Sequence, residues 1–164
     1  MKSIALSLLL VSGFIFSPLS ANAKNANLNK KASVLNKVIS LLNLNNNKGI
    51  ALIQGRNQSN ESIYELKEVL ESQNFVVTVY ERGNTKRIKE DIVMIHSLST
   101  FDSTTKVFDS KIIISDDLND IKSNSAGISV KDVSGYPRVF ISKAYFQNKR
   151  MNLDTRLIRA STVF

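Results

Sequence analysis

Apolar residues recur in this chain with two rhythms. Val34, Leu35, Val38, Ile39 and Leu42 fall at i, i+1, i+4, i+5 and i+8, one face of an amphipathic helix. The polar run Asn43–Lys48 (NLNNNK) ends it, because asparagine favours turns and caps. Ile50–Ile53 (IALI) is then a short, wholly apolar run that reads as a buried strand. It opens into the Gly-containing polar loop Gln54–Asn60. Helical spacing returns at Ile63, Leu66, Val69 and Leu70. Ser62 and Glu65 there have capping-box spacing, and Ser59 and Asn60 are alternative caps. Phe75–Tyr80 (FVVTVY) is a strand by its β-branched and aromatic content, and Glu81–Asn84 is a turn. Ile92–Ile95 (IVMI) and Ile112–Ile114 (III) repeat the buried-strand pattern around a short helix within Thr100–Asp109. Gly127–Val130 pairs as a further strand. Pro137–Ile141 is the last one, with the proline at its permitted first position. Helices over Ser142–Lys149 and Asp154–Thr162 close the chain, with Leu157, Ile158 and Val163 facing inward.

Short apolar runs alternating with amphipathic helices predict an α/β fold: a single-domain sandwich with a central, mostly parallel sheet flanked by helices. Strand, loop, helix and strand over 50–80 form one βαβ unit. The first residues stand outside this pattern. Lys2 precedes the apolar stretch Ile4–Phe16, Pro18 breaks it, and Ala21-Asn22-Ala23 is a small-x-small step before Lys24. That is the design of a secretory signal peptide cleaved after Ala23. The apolar stretch is too short for a membrane span, which takes about 20 residues. The expected organisation is therefore a signal peptide over 1–23, a flexible Asn/Lys/Ala-rich start over 24–30 and one α/β domain over 31–164. The expected location is the periplasm, with no direct insertion in the membrane.

Composition narrows the chemistry. The chain has no cysteine, so an exported form carries no disulfide, lipid-acceptor cysteine or thiolate zinc site. Its formal charge is +8, but the basic residues are dispersed. The densest places are Lys30-Lys31, Lys86-Arg87-Lys89 and the stretch from Lys143 through Lys149-Arg150 to Arg159. Aromatic residues do not interleave with them as stacking platforms, so nucleic acid is not the expected partner.

Candidate chemistry gathers at strand exits, where open α/β sheets place their ligands. Gly55 and Arg56 follow the first strand and precede a helix, a place suited to an anion. They lack the glycine spacing of nucleotide-binding loops. His96, the only histidine, stands beside Ser97 and Ser99 at another exit. As a general base it would draw on Asp91 or Asp102. Ser115 and Asp116 end the Ile112–Ile114 strand. Asp116 and Asp117 point apart if extended, which disfavours a joint acid–base role, and Asp116 is the expected cap of a helix starting near Leu118. Together Gly55, Arg56, His96, Ser97, Ser115 and Asp116 outline a possible ligand crevice. No catalytic set, metal site or cofactor is expected. Phe140, Tyr145 and Phe146 read as core rather than as a partner-binding patch, and the terminal Phe164 as packing.

The second half has a further pattern. Ser115-Asp116 ends a strand, Ala126-Gly127-Ile128 forms a glycine step, and Arg138-Val139-Phe140-Ile141-Ser142 forms a strand before a helix. Leu153, Leu157-Ile158 and Ala160 then form a tail. In this order the chain resembles the YfiR/HmsC-like family of exported bacterial regulatory proteins over roughly 31–164. That family pairs a Ser-Asp strand end with a Gly-Gly-Met-Ile-like step, an R-F-x-I-N strand and a G-L-x-x-S-x-x-L-L-x-x-A tail. Ser142 stands where the family usually has Asn, no Trp-Pro follows the first helix, and the cysteines of some members are absent. The resemblance makes Gly127, Arg138, Phe140, Ser142 and Leu157 structural motif positions. It implies an α/β sandwich without enzymatic activity that inhibits an inner-membrane diguanylate cyclase by binding that enzyme's periplasmic domain. Homodimers are a family association too. The alternatives are a periplasmic small-solute binding module and, further off, a secreted hydrolase using His96 with Ser97 or Ser99.

Overall fold

The computed structural model describes residues 19–42, 44, 49–55, 58–100 and 108–164. A seven-stranded sheet runs through its centre. The strands are β1 (Gly49–Ile53), β2 (Val76–Tyr80), β3 (Ile92–Ile95), β4 (Ile112–Ser115), β5 (Ile128–Val133), β6 (Tyr136–Ile141) and β7 (Thr162–Val163). Their order across the sheet is β2-β1-β3-β4-β5-β6-β7. The first five are mutually parallel, β6 returns antiparallel to β5, and β7 runs parallel to β6. This is the α/β fold with a mostly parallel sheet that the apolar rhythm predicts.

The burial of each strand explains its composition. Every residue of β1, β3 and β4 is buried, as a central parallel strand covered on both faces requires. That is why IALI, IVMI and III lack polar alternation. Edge strand β2 is only partly covered. β5 is buried over its first half and exposed over its second, where the β5–β6 hairpin projects beyond the sheet. Its two-residue turn, Ser134-Gly135, has φ of 57° and 84°. Both values are positive, as the tight turn matching strand twist demands, and Gly135 meets that at little cost.

Among the described residues the α-helices are α1 (Leu19–Ser40), α2 (Asn60–Glu71), α3 (Leu118–Lys122), α4 (Lys143–Asn148) and α5 (Thr155–Arg159). α1 packs on α2 and crosses β5 and β6. Its apolar stripe, including Leu35, Val38 and Ile39, is buried. Side chains alternate along β5, so Gly127 turns away from the face that Val130 shares with α1. On that opposite face it meets Tyr145 and Phe146 of α4.

Several boundaries differ from the expectation. Residues 24–30 are helical, within α1, rather than a flexible start. Asn27 Nδ2 donates to Asp132 Oδ2 at 2.6 Å, which ties this turn to the β5–β6 hairpin. The step after Ala23 falls inside α1, and residues 1–18 lie outside the described residues. Ser59, not Ser62, caps α2 by accepting from the Ser62 N–H. The turn after β2 continues as a 3₁₀ helix over Arg82–Arg87. Of the helix expected in Thr100–Asp109, residues 101–107 lie outside the described residues, and a 3₁₀ turn occupies Leu98–Thr100. The last helix stops at Arg159, and β7 follows it as the true final strand. Val163 there is exposed rather than inward-facing.

Candidate functional site

In a sheet ordered 2-1-3-4-5 the chain moves to one side after β1 and to the other after β2. A crevice forms where those directions part, at the carboxyl ends of β1 and β3. Gln54 and Gly55 leave β1 there, His96 and Ser97 leave β3, and Asp116 leaves β4. A Cβ built on Gly55 would lie 3.5 Å from His96 Cβ, so the two exits run side by side. The topology thus gathers Gly55, His96, Ser97, Ser115 and Asp116 at one end of the sheet. Arg56 and Asp102 lie outside the described residues, and Asp91 belongs to the opposite end, just before β3.

Side chains of the protein itself fill this crevice. The cavity lined by Leu52, Gln58, Ile63, Met94, His96 and Asp116 has about 20 Å³. That is room for about one water molecule. At the β4 exit Lys31 of α1 pairs with Asp116, its Nζ 2.6 Å from Oδ1. His96 Nδ1 approaches the other oxygen, Oδ2, at 3.8 Å, and its side chain is 69% exposed. Asp116 is therefore an ion-pair partner rather than a helix cap. The cap of α3 is Asp117, whose Oδ1 accepts from the Asn119 N–H at 2.9 Å. That hydrogen bond, and one from Ser97, hold the Asp117 carboxyl below its ordinary range against the opposing effect of burial.

The neighbouring serines serve the frame. Ser97 Oγ donates to Asp117 Oδ2 at 3.0 Å and shares a 2.8 Å hydrogen bond with Ser99 Oγ. Buried Ser115 donates to Asp120 Oδ2 at 2.5 Å and accepts from the Asp117 N–H at 3.1 Å. Asp120, itself buried, also accepts from the Leu98 N–H at 2.8 Å. This network ties the exits of β3 and β4 to α3. Among the described residues no group of three His, Cys, Asp or Glu side chains is placed to hold a metal ion.

The motif positions of the second half also fall in load paths of the fold. A Cβ on Gly127 would lie 2.7 Å from Cδ1 and Cε1 of Tyr145 and 2.9 Å from Phe146 Cζ, so only glycine fits without displacement. The space admits the Tyr145 ring. Its hydroxyl accepts from the Ile113 N–H at 3.0 Å and donates to the Lys111 carbonyl at 2.8 Å. β5 joins β4 late, with Ile114 opposite Ile128, so the phenol serves the backbone of β4 ahead of the point where β5 arrives. Burial pushes the Tyr145 hydroxyl's pKa up, which keeps it protonated. Ser142 caps α4 by accepting from the Tyr145 N–H at 3.1 Å and donates to Asn124 Oδ1 at 2.6 Å. Serine and asparagine are comparable caps, so Ser142 suffices at this position. Leu157 is buried, Arg138 is exposed, and half-buried Phe140 stacks on Phe164 with centroids 6.3 Å apart. Tyr145 and Phe146 belong to the core, as expected.

Lys31 and Tyr145 are the contributors that sequence reasoning missed. Lys31 lies 85 positions from Asp116 and Tyr145 lies 32 from Ile113, and no local spacing announces either contact.

No family profile matches the chain, and no curated protein matches it. Solved structures do. One is the ABC domain in complex with L-Trp from Streptococcus pneumoniae, with a TM-score of 0.64 and 12% identity. The match covers 82% of this chain and 62% of that one. Another is a conserved domain protein from Vibrio cholerae O1 biovar El Tor, with a TM-score of 0.59 and 10% identity over 81% of this chain and 59% of that one. The chain spans less than two thirds of the length of either neighbour. At these identities the likeness is one of fold.

Proposed function

We propose that this chain is an exported, non-enzymatic regulator of the YfiR/HmsC-like kind. It acts by binding the periplasmic domain of an inner-membrane diguanylate cyclase and holding it inactive. The observation that carries this reading is the filled crevice. The place where a doubly wound sheet offers a site holds about 20 Å³ and is bordered, at the β4 exit, by the Lys31–Asp116 ion pair. Recognition by such a domain falls to its outer surface. The seating of Gly127, Ser142 and Leu157 in the frame adds support to the family resemblance. A regulator of this kind shifts its target only by binding the inactive state more tightly. Deleting the gene should raise cellular cyclic-di-GMP, and the purified domain should capture the cyclase's periplasmic domain. Unchanged cyclic-di-GMP with no capture would overturn the proposal.

A second reading is a small-solute binding module. The Streptococcus pneumoniae neighbour is a domain in complex with L-Trp, and this chain shares its fold. A cleft of about 330 Å³ beside Asn27, Lys31 and Asp116 offers space next to the filled crevice. A retained metabolite in native mass spectrometry, lost in Lys31→Ala, would favour this reading over the first.

A further inference from the structure

A wide groove lies away from the sheet's switch point. It has about 630 Å³ and runs between α1, β6 and α5. Its apolar floor includes Val34, Leu41 and Val139. Its charged lining residues are Lys37, Arg138, Arg156 and Arg159, with no acidic residue among those that line it. Lys37 and Arg159 occupy the last turns of α1 and α5, and Arg138 stands exposed on β6. Arg156 is already paired, its Nη2 2.6 Å from Asp154 Oδ2 just outside the groove. Lys37, Arg138 and Arg159 remain to give the rim its positive field.

We infer that this groove docks an acidic amphipathic segment of a partner protein, the apolar side lying on Val34 and Leu41 and carboxylates facing Lys37, Arg138 and Arg159. The inference rests on the regulatory reading above and names the surface that reading leaves open. Charge complementarity selects the occupant. An apolar floor alone would accept any hydrophobic segment, whereas a rim of one sign penalises a basic one and speeds encounter with an acidic one.

The test uses a fluorescent synthetic helix with leucines on one face and glutamates on the other, beside the same helix with lysines for glutamates. The glutamate helix should bind the full-length processed protein with an affinity that falls steeply with salt, and the lysine helix should not. The double variant Arg138→Glu/Arg159→Glu should weaken binding about tenfold or more, since two attractive contacts become repulsive. Arg87→Glu, exposed on the 3₁₀ helix after β2, changes net charge without touching the groove and should leave affinity within about twofold. Circular dichroism and thermal melting of each variant check that the fold is kept. Equal loss in Arg87→Glu would overturn the inference in favour of general charge attraction. So would a dimer of the wild-type protein that the double variant dissociates, because the occupant would then be a second copy. Regulation of cyclic-di-GMP that survives the double variant sinks the groove and spares the regulatory reading. Helix binding at the groove without any effect of the deletion on cyclic-di-GMP does the reverse.

Discussion

Replacing Gly127 with alanine adds one methyl group where the structure has no space for it. The new Cβ would stand 2.7 Å from two ring carbons of Tyr145, against an ordinary carbon contact of about 3.5–4.0 Å. The ring would have to retreat by about 1 Å, and Phe146 blocks the other direction at 2.9 Å. Both rings are buried, so neither can swing into solvent. A shift of that size takes the Tyr145 hydroxyl out of bonding range of the Ile113 N–H and the Lys111 carbonyl, now at 3.0 and 2.8 Å. Overpacking costs about 1–3 kcal/mol. Leaving the buried Ile113 N–H without its partner costs about 1–3 kcal/mol more. The lower entropy of alanine in the unfolded chain returns about 0.4–1 kcal/mol, because φ at Gly127 is not positive and alanine can adopt it. The net expectation is a loss of about 1–5 kcal/mol, centred near 3. Urea unfolding followed by far-ultraviolet dichroism should show the midpoint falling by about 1–2 M at unchanged slope. A double-mutant cycle with Tyr145→Phe separates the two costs. With the hydroxyl already gone, Gly127→Ala should lose only the packing share, giving a coupling of about 1 kcal/mol or more. Loss below about 0.5 kcal/mol in the single variant, or strict additivity in the cycle, would refute the reasoning.

Other outcomes follow from the same geometry. Ser142→Ala should cost about 1 kcal/mol by uncapping α4, while Ser142→Asn should recover most of it in the same urea assay. Leu157→Ala should cost about 2–5 kcal/mol, since Leu157 is 1% exposed beneath α5, and a smaller loss would mean that the helix repacks. Asp154, whose hydrogen bonds from Arg156 hold its pKa down to about 2 from 3.8, should titrate near 2 by carboxyl NMR and return towards 3.8 in Arg156→Gln. The folded-state value is depressed, so any stability this pair contributes is present above pH 3.8 and fades as pH falls through about 2. Lys31→Met keeps the bulk of the side chain but leaves Asp116 without its ammonium partner, and tighter binding of a small cation there, read by calorimetry, is the expected sign.

Local pattern determined the centre of this protein. Runs such as IALI, IVMI and III suit strands covered on both faces, and their alternation with amphipathic helices pointed to the parallel sheet in which every residue of those strands is buried. The strand exits at Gly55, His96 and Asp116 were legible for the same reason, since consecutive parallel strands bring their carboxyl ends to one side. The resemblance of the second half likewise rests on residues whose reasons are local in part: Ser142 is a cap and Leu157 an inward helix position. Tertiary structure decided the rest. Lys24–Lys30 has no apolar rhythm and reads as loose chain, yet it is helical, with Asn27 bonded to Asp132, 105 positions away. β7 is two β-branched residues long, too short for a strand pattern to show. Its backbone is held by pairing with β6, and the Phe164 N–H donates to the Ile141 carbonyl at 2.9 Å. The strand exits outlined a possible crevice, but not the ion pair at its β4 side, because that side chain comes from α1. Periodicity reports which face of an element is buried. It does not report which distant side chain arrives there, and at Asp116 and Ile113 that arrival shapes the site and completes the sheet.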